Sequence, residues 1–377
     1  MANSAAPELA LGVISAPGLM ERRDLIRQTW FANLLPWVVA KFVVRTGQCS
    51  NGGGRRLSTT VAKATNASSL AALLEMERRA SSDMLSIDSV CADEKRRRGA
   101  VLTIFAWLQH AVATYPTATF IARTDDDVWL DLLSLRFYLD AVRAGAAERR
   151  TRFAFVGNLL YSNYIQNGTV EYDTGFGYTC GMAKGSFDRL VQAGVTNGNQ
   201  SLGPFVFAPG FLNILSQPLA ASLAGSSALQ QNIEQVRTAP NGVFGLEDKW
   251  LGSAMQRHVD MQQEGLLAVH MDLGSKLAFD GPGVHIYAST ILWHNNRKVN
   301  NRIRLVDAFS RKHGCLTAHV NRTLPQLKCE PMKGPCAPHK SQLCRLTPLC
   351  EPRHYRINNS NTSAWIACPD THLFQPC

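Results

Sequence analysis

The sequence predicts an α/β protein in which a largely parallel sheet is followed by a smaller cysteine-rich segment. The chain has 377 residues, more than one small domain needs, and 45% of them are hydrophobic, which is enough for a sizeable core. Apolar strand patterns alternate with helical patterns over residues 9–123. Such alternation is typical of parallel sheets whose crossover connections are helices.

The first half of the chain alternates strands and helices. Period-2 or continuous apolar runs predict strands at Leu9 to Ala16, Trp37 to Val44, Met84 to Ile87 and Thr119 to Arg123. Helical spacing of apolar residues predicts helices at Glu21 to Ala32, Leu70 to Arg79 and Ala100 to Thr114. Because ligands of such sheets bind at the carboxyl ends of strands, the segment directly after residue 123 is a candidate site.

The second half of the chain is less regular. It is predicted to contain helices at Leu130 to Ala144, Ala220 to Arg237, Gly245 to Arg257 and Asn300 to Lys312, and strands at Phe153 to Leu160 and Val284 to Trp293. Residues 196–243 are rich in Gly, Asn, Ser and Gln, so we interpret them as an insertion or a long lid.

Cysteine usage indicates an oxidising compartment. Seven of the ten cysteines lie between Cys315 and Cys377, which predicts a disulfide-stapled tail over residues 315–377 behind a catalytic domain at 1–314. A zinc knuckle is the alternative, but the spacings are irregular and no C-x-x-C pair occurs. Glycosylation sequons agree with the disulfide interpretation, at Asn66, Asn167, Asn199, Asn321, Asn358 and Asn361.

The sequence contains no visible membrane-spanning segment. The apolar stretch from Leu9 to Pro17 is short, is followed by charged residues and lacks a basic flank of the kind that precedes a signal sequence. A protein of the secretory pathway needs an entry signal, so we expect membrane association through an N-terminal anchor outside this sequence. The formal net charge of +10 suits phosphates, anionic glycans, nucleic acid or an anionic membrane, and charge alone does not choose among them.

Three consecutive carboxylates, Asp125 to Asp127, follow the strand that ends at Arg123. Their mutual repulsion is offset when a cation binds, and hard oxygen ligands suit Mg²⁺ or Mn²⁺, which in turn bridge diphosphate oxygens. An acidic surface loop is the plain alternative. The position at a strand end favours a metal-phosphate site.

Three further segments carry candidate chemistry, each with a structural alternative. Glu247 and Asp248 open a helix, where they serve either as a general base or as N-terminal charges that complement the helix dipole. His294 follows an apolar strand and is a metal ligand or a structural residue. The segment Gly175 to Tyr178 allows close backbone approach and ring stacking on a sugar, or forms a tight turn.

Together these segments resemble a family of β1,3-galactosyltransferases and β1,3-N-acetylglucosaminyltransferases, glycosyltransferase family 31. The resemblance spans about residues 9 to 315 and rests on motifs in the family's order: Arg22 to Trp30 (RRDLIRQTW), Asp83 to Asp88 (DMLSID), Phe120 to Leu130 (FIARTDDDVWL), Tyr172 to Tyr178 (YDTGFGY), Gly245 to Gly252 (GLEDKWLG) and Leu292 to Cys315.

The resemblance implies a GT-A-type, Rossmann-like mixed sheet flanked by helices, and an inverting hexosyltransferase that uses a UDP-sugar donor, a glycan acceptor and Mn²⁺. It places Asp127, His294 and Asp125 at the metal, and Asp248 as the base. It further implies a nucleotide pocket that contains Arg27, Asp83, Asp125 and Asp126, and an acceptor pocket that contains Gly175, Gly177, Tyr178 and Glu247. The implied location is the lumenal side of the Golgi membrane, with no nucleic-acid partner.

The chain also departs from the family pattern. The family's Asn-Leu-Thr-x-Lys segment is not recognisable, and Lys249 replaces the usual Val after the acidic pair. The gap from Tyr178 to Glu247 is about twice the family's, which leaves the acceptor open. A catalytically silent glycan-binding homologue is the alternative function. A metal-dependent phosphoesterase would need further ligands at metal spacing, which the sequence does not show.

Overall fold

The fold is built on a nine-stranded sheet in which parallel and antiparallel pairs occur together. Helices cover both faces, so the predicted α/β class with a mixed sheet is confirmed. The structure is a computed structural model. It describes residues 6–47, 60–91, 96–167, 170–177, 184–185, 188–189, 192–193, 201–238, 247–271, 285–287, 292–294, 299–313, 324–332, 341–346, 354–357 and 365–367.

The strands form one large and three small sheets. Across the large sheet the order is β14 (Leu327–Pro331), β15 (Gln342–Leu346), β11 (Leu267–His270), β6 (Ala154–Gly157), β10 (Asn213–Ser216), β4 (Phe120–Asp125), β1 (Leu9–Ser15), β2 (Val38–Gly47) and β3 (Met84–Cys91). The small sheets join β8 (Val170–Gly177), β7 (Leu160–Asn167) and β9 (Ser201–Phe207); β13 (Leu292–His294) and β5 (Val128–Leu130); and β12 (His285–Tyr287), β16 (His354–Ile357) and β17 (Trp365–Ala367).

Two helical layers bury the two faces of the large sheet. One layer contains α1 (Met20–Gln28), α2 (Thr60–Ala80), α4 (Leu132–Glu148) and α9 (Val299–His313). The other contains α3 (Arg96–Thr114), α5 (Gln217–Gly225), α6 (Ser227–Thr238), α7 (Glu247–Arg257) and α8 (Val259–Glu264). Because side chains alternate along a strand, Phe120 and Ala122 of β4 pack into the first layer while Ile121 packs into the second.

The order in which the chain adds strands to the sheet reverses at β1. From β1 it adds β2 and then β3 on one side, and it returns to add β4 on the other side of β1. The β1–β2, β2–β3 and β1–β4 pairs are all parallel. In open α/β sheets, ligands bind outside the carboxyl ends of the strands at such a switch point. The crevice here lies beyond Ser15 and Asp125, the last residues of β1 and β4.

Residues 201–238, which we predicted to belong to an insertion or lid, lie largely in the body of the fold. Strand β10 from this segment sits between β4 and β6 in the large sheet and pairs antiparallel with both. The single helix predicted here is two helices. Ser226 between them has an extended backbone, and its hydroxyl accepts a hydrogen bond from the Leu229 N–H at 3.2 Å, as a helix N-cap does.

Two strands of the cysteine-rich tail continue the large sheet. β15 pairs parallel with β11, and β14 pairs antiparallel with β15. Cys329 and Cys344 face each other in the β14–β15 pair and form a disulfide. These strands are therefore part of the main fold rather than a separate appendage. The predicted strand at Val284 to Trp293 also differs from the structure, which has β12 and β13 in two different small sheets.

Within the described part of the chain, none of the helices combines the length and the hydropathy that crossing a bilayer requires.

We expect the Cys329–Cys344 disulfide to contribute about 3 kcal/mol to the free energy of unfolding, because it closes a loop of 15 residues in the unfolded chain. The double substitution C329A/C344A should lower the denaturant midpoint accordingly. Mass mapping without reductant should recover the linked peptides from the unmodified chain. Free thiols at both positions would contradict the pairing.

Candidate functional site

The three consecutive carboxylates lie at the crevice between β1 and β4. Asp125 is the last residue of β4, and Asp126 and Asp127 form the turn that leads into β5. Asp126 and Asp127 are buried, whereas the Asp125 side chain is 33% exposed. The acidic motif therefore stands where the sheet topology places a ligand.

Asp126 is held in place by hydrogen bonds to other side chains of the protein. It accepts a hydrogen bond from the Ser15 hydroxyl at 2.7 Å and from the Arg22 guanidinium at 2.8 Å. Burial raises the pKa of the Asp126 carboxyl, and the contacts with Arg22 and Ser15 oppose that shift. Since Ser15 ends β1, Asp126 ties the two strands that border the crevice to each other.

Arg22 brings a positive charge from the first turns of α1 to the acidic motif. Besides Asp126, its guanidinium contacts a carboxylate oxygen of Asp127 at 3.4 Å. The arginine side chain is 26% exposed, so part of it remains accessible from solvent. A cation at this place suits an anionic phosphate group as well as the carboxylates.

The backbone after the motif is fixed by packing from two directions. The Trp30 indole N–H donates to the Val128 carbonyl at 3.0 Å. Strand β5 pairs antiparallel with β13, and Val128 stands opposite His294. The structure thus brings the backbone of His294 beside the residue that follows Asp127. The side chain of His294 lies outside the described part of the chain.

Arg123 connects the acidic motif to Asp248. One terminal nitrogen of its guanidinium contacts Asp248, and the other lies 3.2 Å from Asp125 and donates to the Gly210 carbonyl at 3.3 Å. The arginine side chain is 1% exposed. An unpaired charge buried to that extent would be strongly unfavourable, so the guanidinium needs these partners. Asp248, the predicted base, and Asp125, a predicted metal ligand, therefore share one buried cation.

Burial also affects the first carboxylate of the motif. It raises the pKa of Asp125 well above its ordinary value, with the nearby Asp248 and Asp127 adding to the increase and Arg123 opposing it. The exposed third of the side chain moderates this effect. Carboxylates in such surroundings are stabilised in the charged form by an additional cation.

Helix α7 presents Asp248 to Arg123 because it packs closely on β9. A Cβ atom on Gly252 would lie 2.5 Å from the Val206 carbonyl oxygen, a distance that real Cβ atoms do not show. Asp248 and Gly252 are four residues apart and so lie on the same side of the helix. The absence of a side chain at Gly252 lets that side approach the sheet. Glu247 is the first residue of α7.

Two of the residues predicted for the nucleotide pocket, Arg27 and Asp83, pair with each other. Arg27 donates to both carboxylate oxygens of Asp83, at 2.9 and 3.0 Å, and to Glu77 at 2.8 Å. Glu77 also binds Arg23, which is fully buried and donates to the Ser15 hydroxyl at 2.9 Å. A continuous hydrogen-bonded network thus runs from Asp83 through α2 to Ser15, and Ser15 in turn donates to the acidic motif.

The predicted acceptor-pocket residues are described only in part. Gly175 and Gly177 lie in β8, where they pair with Asn163 and Tyr161 of β7. Strand β7 also pairs with β9, and β9 packs on α7. The small sheet is therefore connected to the helix of Asp248. Tyr178 lies outside the described residues.

Of the donors predicted for a divalent metal, the two carboxylates suit a hard cation such as Mn²⁺, whereas the imidazole is a softer donor typical of transition metals. Among the residues with described side chains, no group of three His, Cys, Asp or Glu stands at metal spacing. Asp125 and Asp127 are both at the motif, and β13 carries the third donor into register beside it.

The residues that organise the motif were not predicted from the sequence, namely Ser15, Arg23, Glu77, Arg123 and Gly210. A signal was present for Arg123, because it is a charged residue in an otherwise apolar strand and therefore needs a buried partner. The contribution of Gly210 could not be seen in the same way. A Cβ atom on Gly210 would collide with the Asp125 carboxylate, and only the folded turn reveals that contact.

No model of a protein family matches the chain, and no curated protein matches it. One similar solved structure is a mannose-1-phosphate geranyltransferase from Thermus thermophilus, at 11% identity and a TM-score of 0.27, covering 65% of this chain and 68% of that one. Another is core-mannan synthase A from Aspergillus fumigatus in a Mn/GDP form, at 10% identity and a TM-score of 0.26, covering 71% and 74%. TM-scores this low carry no argument, and the family resemblance stays a prediction.

We expect G252A to destabilise the protein by about 1–3 kcal/mol, because the added methyl group meets backbone that cannot move aside. Thermal melts of the two proteins measure the effect. G225A is the matched control, since a Cβ atom there meets nothing within 4 Å and should leave the melting temperature nearly unchanged. Equal melting temperatures for G252A and the unmodified protein would contradict the close packing of α7 on β9.

Proposed function

We propose that this chain is an inverting, metal-dependent hexosyltransferase that moves galactose or N-acetylglucosamine from a UDP-sugar to a glycan hydroxyl and forms a β1,3 linkage. One observation carries the proposal. The acidic motif stands at the switch point of the sheet, and the buried Arg123 joins it to Asp248 on a neighbouring helix. This arrangement would hold the proposed donor site and the proposed general base next to each other.

The donor would lie across the crevice between β1 and β4. In this proposal Arg27 and Asp83 belong to the nucleotide end, and Asp125 lies near the ribose. Arg22 supports the placement of the diphosphate, since its partly exposed guanidinium brings a fixed positive charge to the motif.

Asp127 and His294 would hold the divalent ion, with Asp125 beside them, and we propose Mn²⁺. When bound, such an ion supplies positive charge that stabilises the departing diphosphate. Asp126 is committed to Ser15 and Arg22, so it supports the site rather than offering a ligand.

Asp248 takes the proton of the acceptor hydroxyl in the proposed reaction. The hydroxyl oxygen forms its bond to the anomeric carbon while the bond from that carbon to the UDP oxygen breaks, so UDP leaves with the bonding electron pair. A single displacement of this kind inverts the anomeric configuration. Glu247 and the β8 segment with Gly175 and Gly177 would border the acceptor.

The cellular location follows the same proposal. The Cys329–Cys344 disulfide supports an oxidising compartment, because such bonds persist in the secretory pathway and are rare in the cytosol. We therefore propose the lumenal side of the Golgi membrane, with an anchor outside this sequence.

The direct test is to incubate the protein with Mn²⁺ and a panel of UDP-sugars, with and without simple β-galactoside acceptors, and to measure UDP release. UDP-galactose or UDP-N-acetylglucosamine should be consumed, and chelation by EDTA should stop the release. Mn²⁺-dependent binding of UDP without any turnover would instead favour the catalytically silent homologue.

Asp127→Ala should lower kcat/KM by about 10³-fold or more, because a metal supplies several kcal/mol to the transition state and each 1.36 kcal/mol is tenfold in rate. Mn²⁺ titration in the presence of UDP should show the loss of metal affinity directly. Asp140→Ala is the control, since that side chain is partly exposed on α4 and pairs with Arg143. Retained Mn²⁺-dependent transfer in Asp127→Ala would remove this residue from the metal site.

Asp248→Asn should lower kcat by about 10²- to 10⁴-fold, the usual contribution of a general base. UDP binding in the presence of Mn²⁺ should change little, because the substitution leaves the donor side of the crevice intact. Calorimetry for binding and stopped-time assays for turnover separate the two effects. A near-normal rate in this variant would move the base role to another residue.

A further inference from the structure

Arg123 is a buried cation between the acidic motif and Asp248. Three acceptors surround its guanidinium: the carboxylates of Asp248 and Asp125 and the carbonyl of Gly210. They belong to α7, to β4 and to the turn between β9 and β10, so three separate parts of the chain meet at one side chain. We propose that Arg123 is a positioning residue, which fixes the distance between the acceptor-side base and the donor-side carboxylates. This proposal rests on the proposed function.

The geometry supports a bridge rather than a simple ion pair. Arginine is planar and offers separate nitrogens in a fixed fork, so one side chain can hold two carboxylates at a defined separation. Here the two terminal nitrogens are divided between Asp248 and Asp125. A lysine at the same place is a point charge on a flexible chain and would favour one carboxylate at a time.

Burial makes the bridge obligatory. The arginine side chain is 1% exposed, and the side chain of Asp248 is 12% exposed. Without the guanidinium, the carboxylates of Asp248 and Asp125 would lose the cation between them, and each would repel the other. We expect Asp248 then to lose its fixed position relative to the donor-side carboxylates.

The turn at Gly210 closes around the bridge. A Cβ atom on Gly210 would collide with Asp125 and would lie 3.1 Å from the Arg123 guanidinium. The Thr124 hydroxyl donates to the carbonyl of Phe211 in the same turn at 2.5 Å. The turn therefore packs on both faces of the strand end, which restricts the guanidinium to its present orientation.

The proposed role of Arg123 differs from that of a structural ion pair, because Arg123 would control the rate of the catalytic step. It touches Asp248, so its replacement should slow the step in which the acceptor hydroxyl attacks. Under the proposed function, Arg123 touches one donor-side residue, Asp125, but does not touch Arg22, Arg27 or Asp83, which belong to the rest of the donor site. We therefore expect a loss in kcat that is much larger than the change in donor KM or in UDP affinity.

The experiment compares R123K with R143K in the Mn²⁺-dependent transfer assay and in UDP calorimetry. Arg143 is the matched control, because it also lies between two carboxylates, Asp140 at 2.8 Å and Glu8 at 3.6 Å, but is exposed on α4. R123K should lose about 10²-fold in kcat, as expected for a misplaced catalytic group, whereas its UDP affinity should change far less. R143K should match the unmodified protein in both measurements. Unchanged kcat in R123K would overturn the proposal.

A second measurement does not depend on turnover. Melting temperatures of R123M, D248N and the double variant form a double-mutant cycle, in which contacting residues give losses that do not add. We expect the double variant to melt no lower than R123M alone. Additive losses would show that the two side chains are not coupled and would overturn the bridge.

The two results separate this proposal from the proposed function. If the unmodified protein releases no UDP from any donor, the proposed function fails, and the catalytic role of Arg123 fails with it even if the melting temperatures are coupled. If the unmodified protein is active but R123K turns over normally, only the positioning role fails.

Discussion

The architecture of the crevice depends on one electrostatic constraint, which is the presence of three adjacent carboxylates at the end of a buried strand. Such a cluster is unfavourable unless positive charge lies close to it. The fold meets this need from both sides of the sheet. Arg22 approaches from α1 to reach Asp126 and Asp127, and Arg123 approaches from β4 itself to reach Asp125 and Asp248. The position of α1 and the position of α7 are therefore both tied to the same acidic turn.

Local sequence patterns predicted many of the strands and helices in the half of the sheet that carries the acidic motif. The apolar runs at β1, β2 and β4 have strong strand patterns, and the switch from period 2 to helical spacing marks α1 and α3 clearly. The position of Asp125 at the end of β4 followed from the same reading. Boundaries were less accurate, since β2 and β3 run several residues further than their apolar cores. Strand ends depend on pairing with neighbours, which a single strand does not reveal.

The remaining part of the fold depends on contacts between distant segments. Strand β10 comes from a region whose Gly- and Asn-rich composition is typical of a loop, yet its four residues fill the gap between β4 and β6. Pairing with two established strands outweighs weak local preference. The site follows the same rule. Asp125 and Asp248 were predicted from their own segments. The contact that joins them through Arg123 forms only when α7 packs on the sheet, so the sequence alone does not show it.

The β14–β15 hairpin has a practical meaning for anyone who expresses part of this protein. Its second strand supplies the backbone partner for β11, which would otherwise be the outermost strand on that side of the large sheet. An unprotected strand at a sheet border offers its amide and carbonyl groups to any other chain and promotes aggregation. A recombinant fragment that stops near residue 314 would create such a border. Soluble fragments should therefore retain the sequence through Leu346, the end of β15.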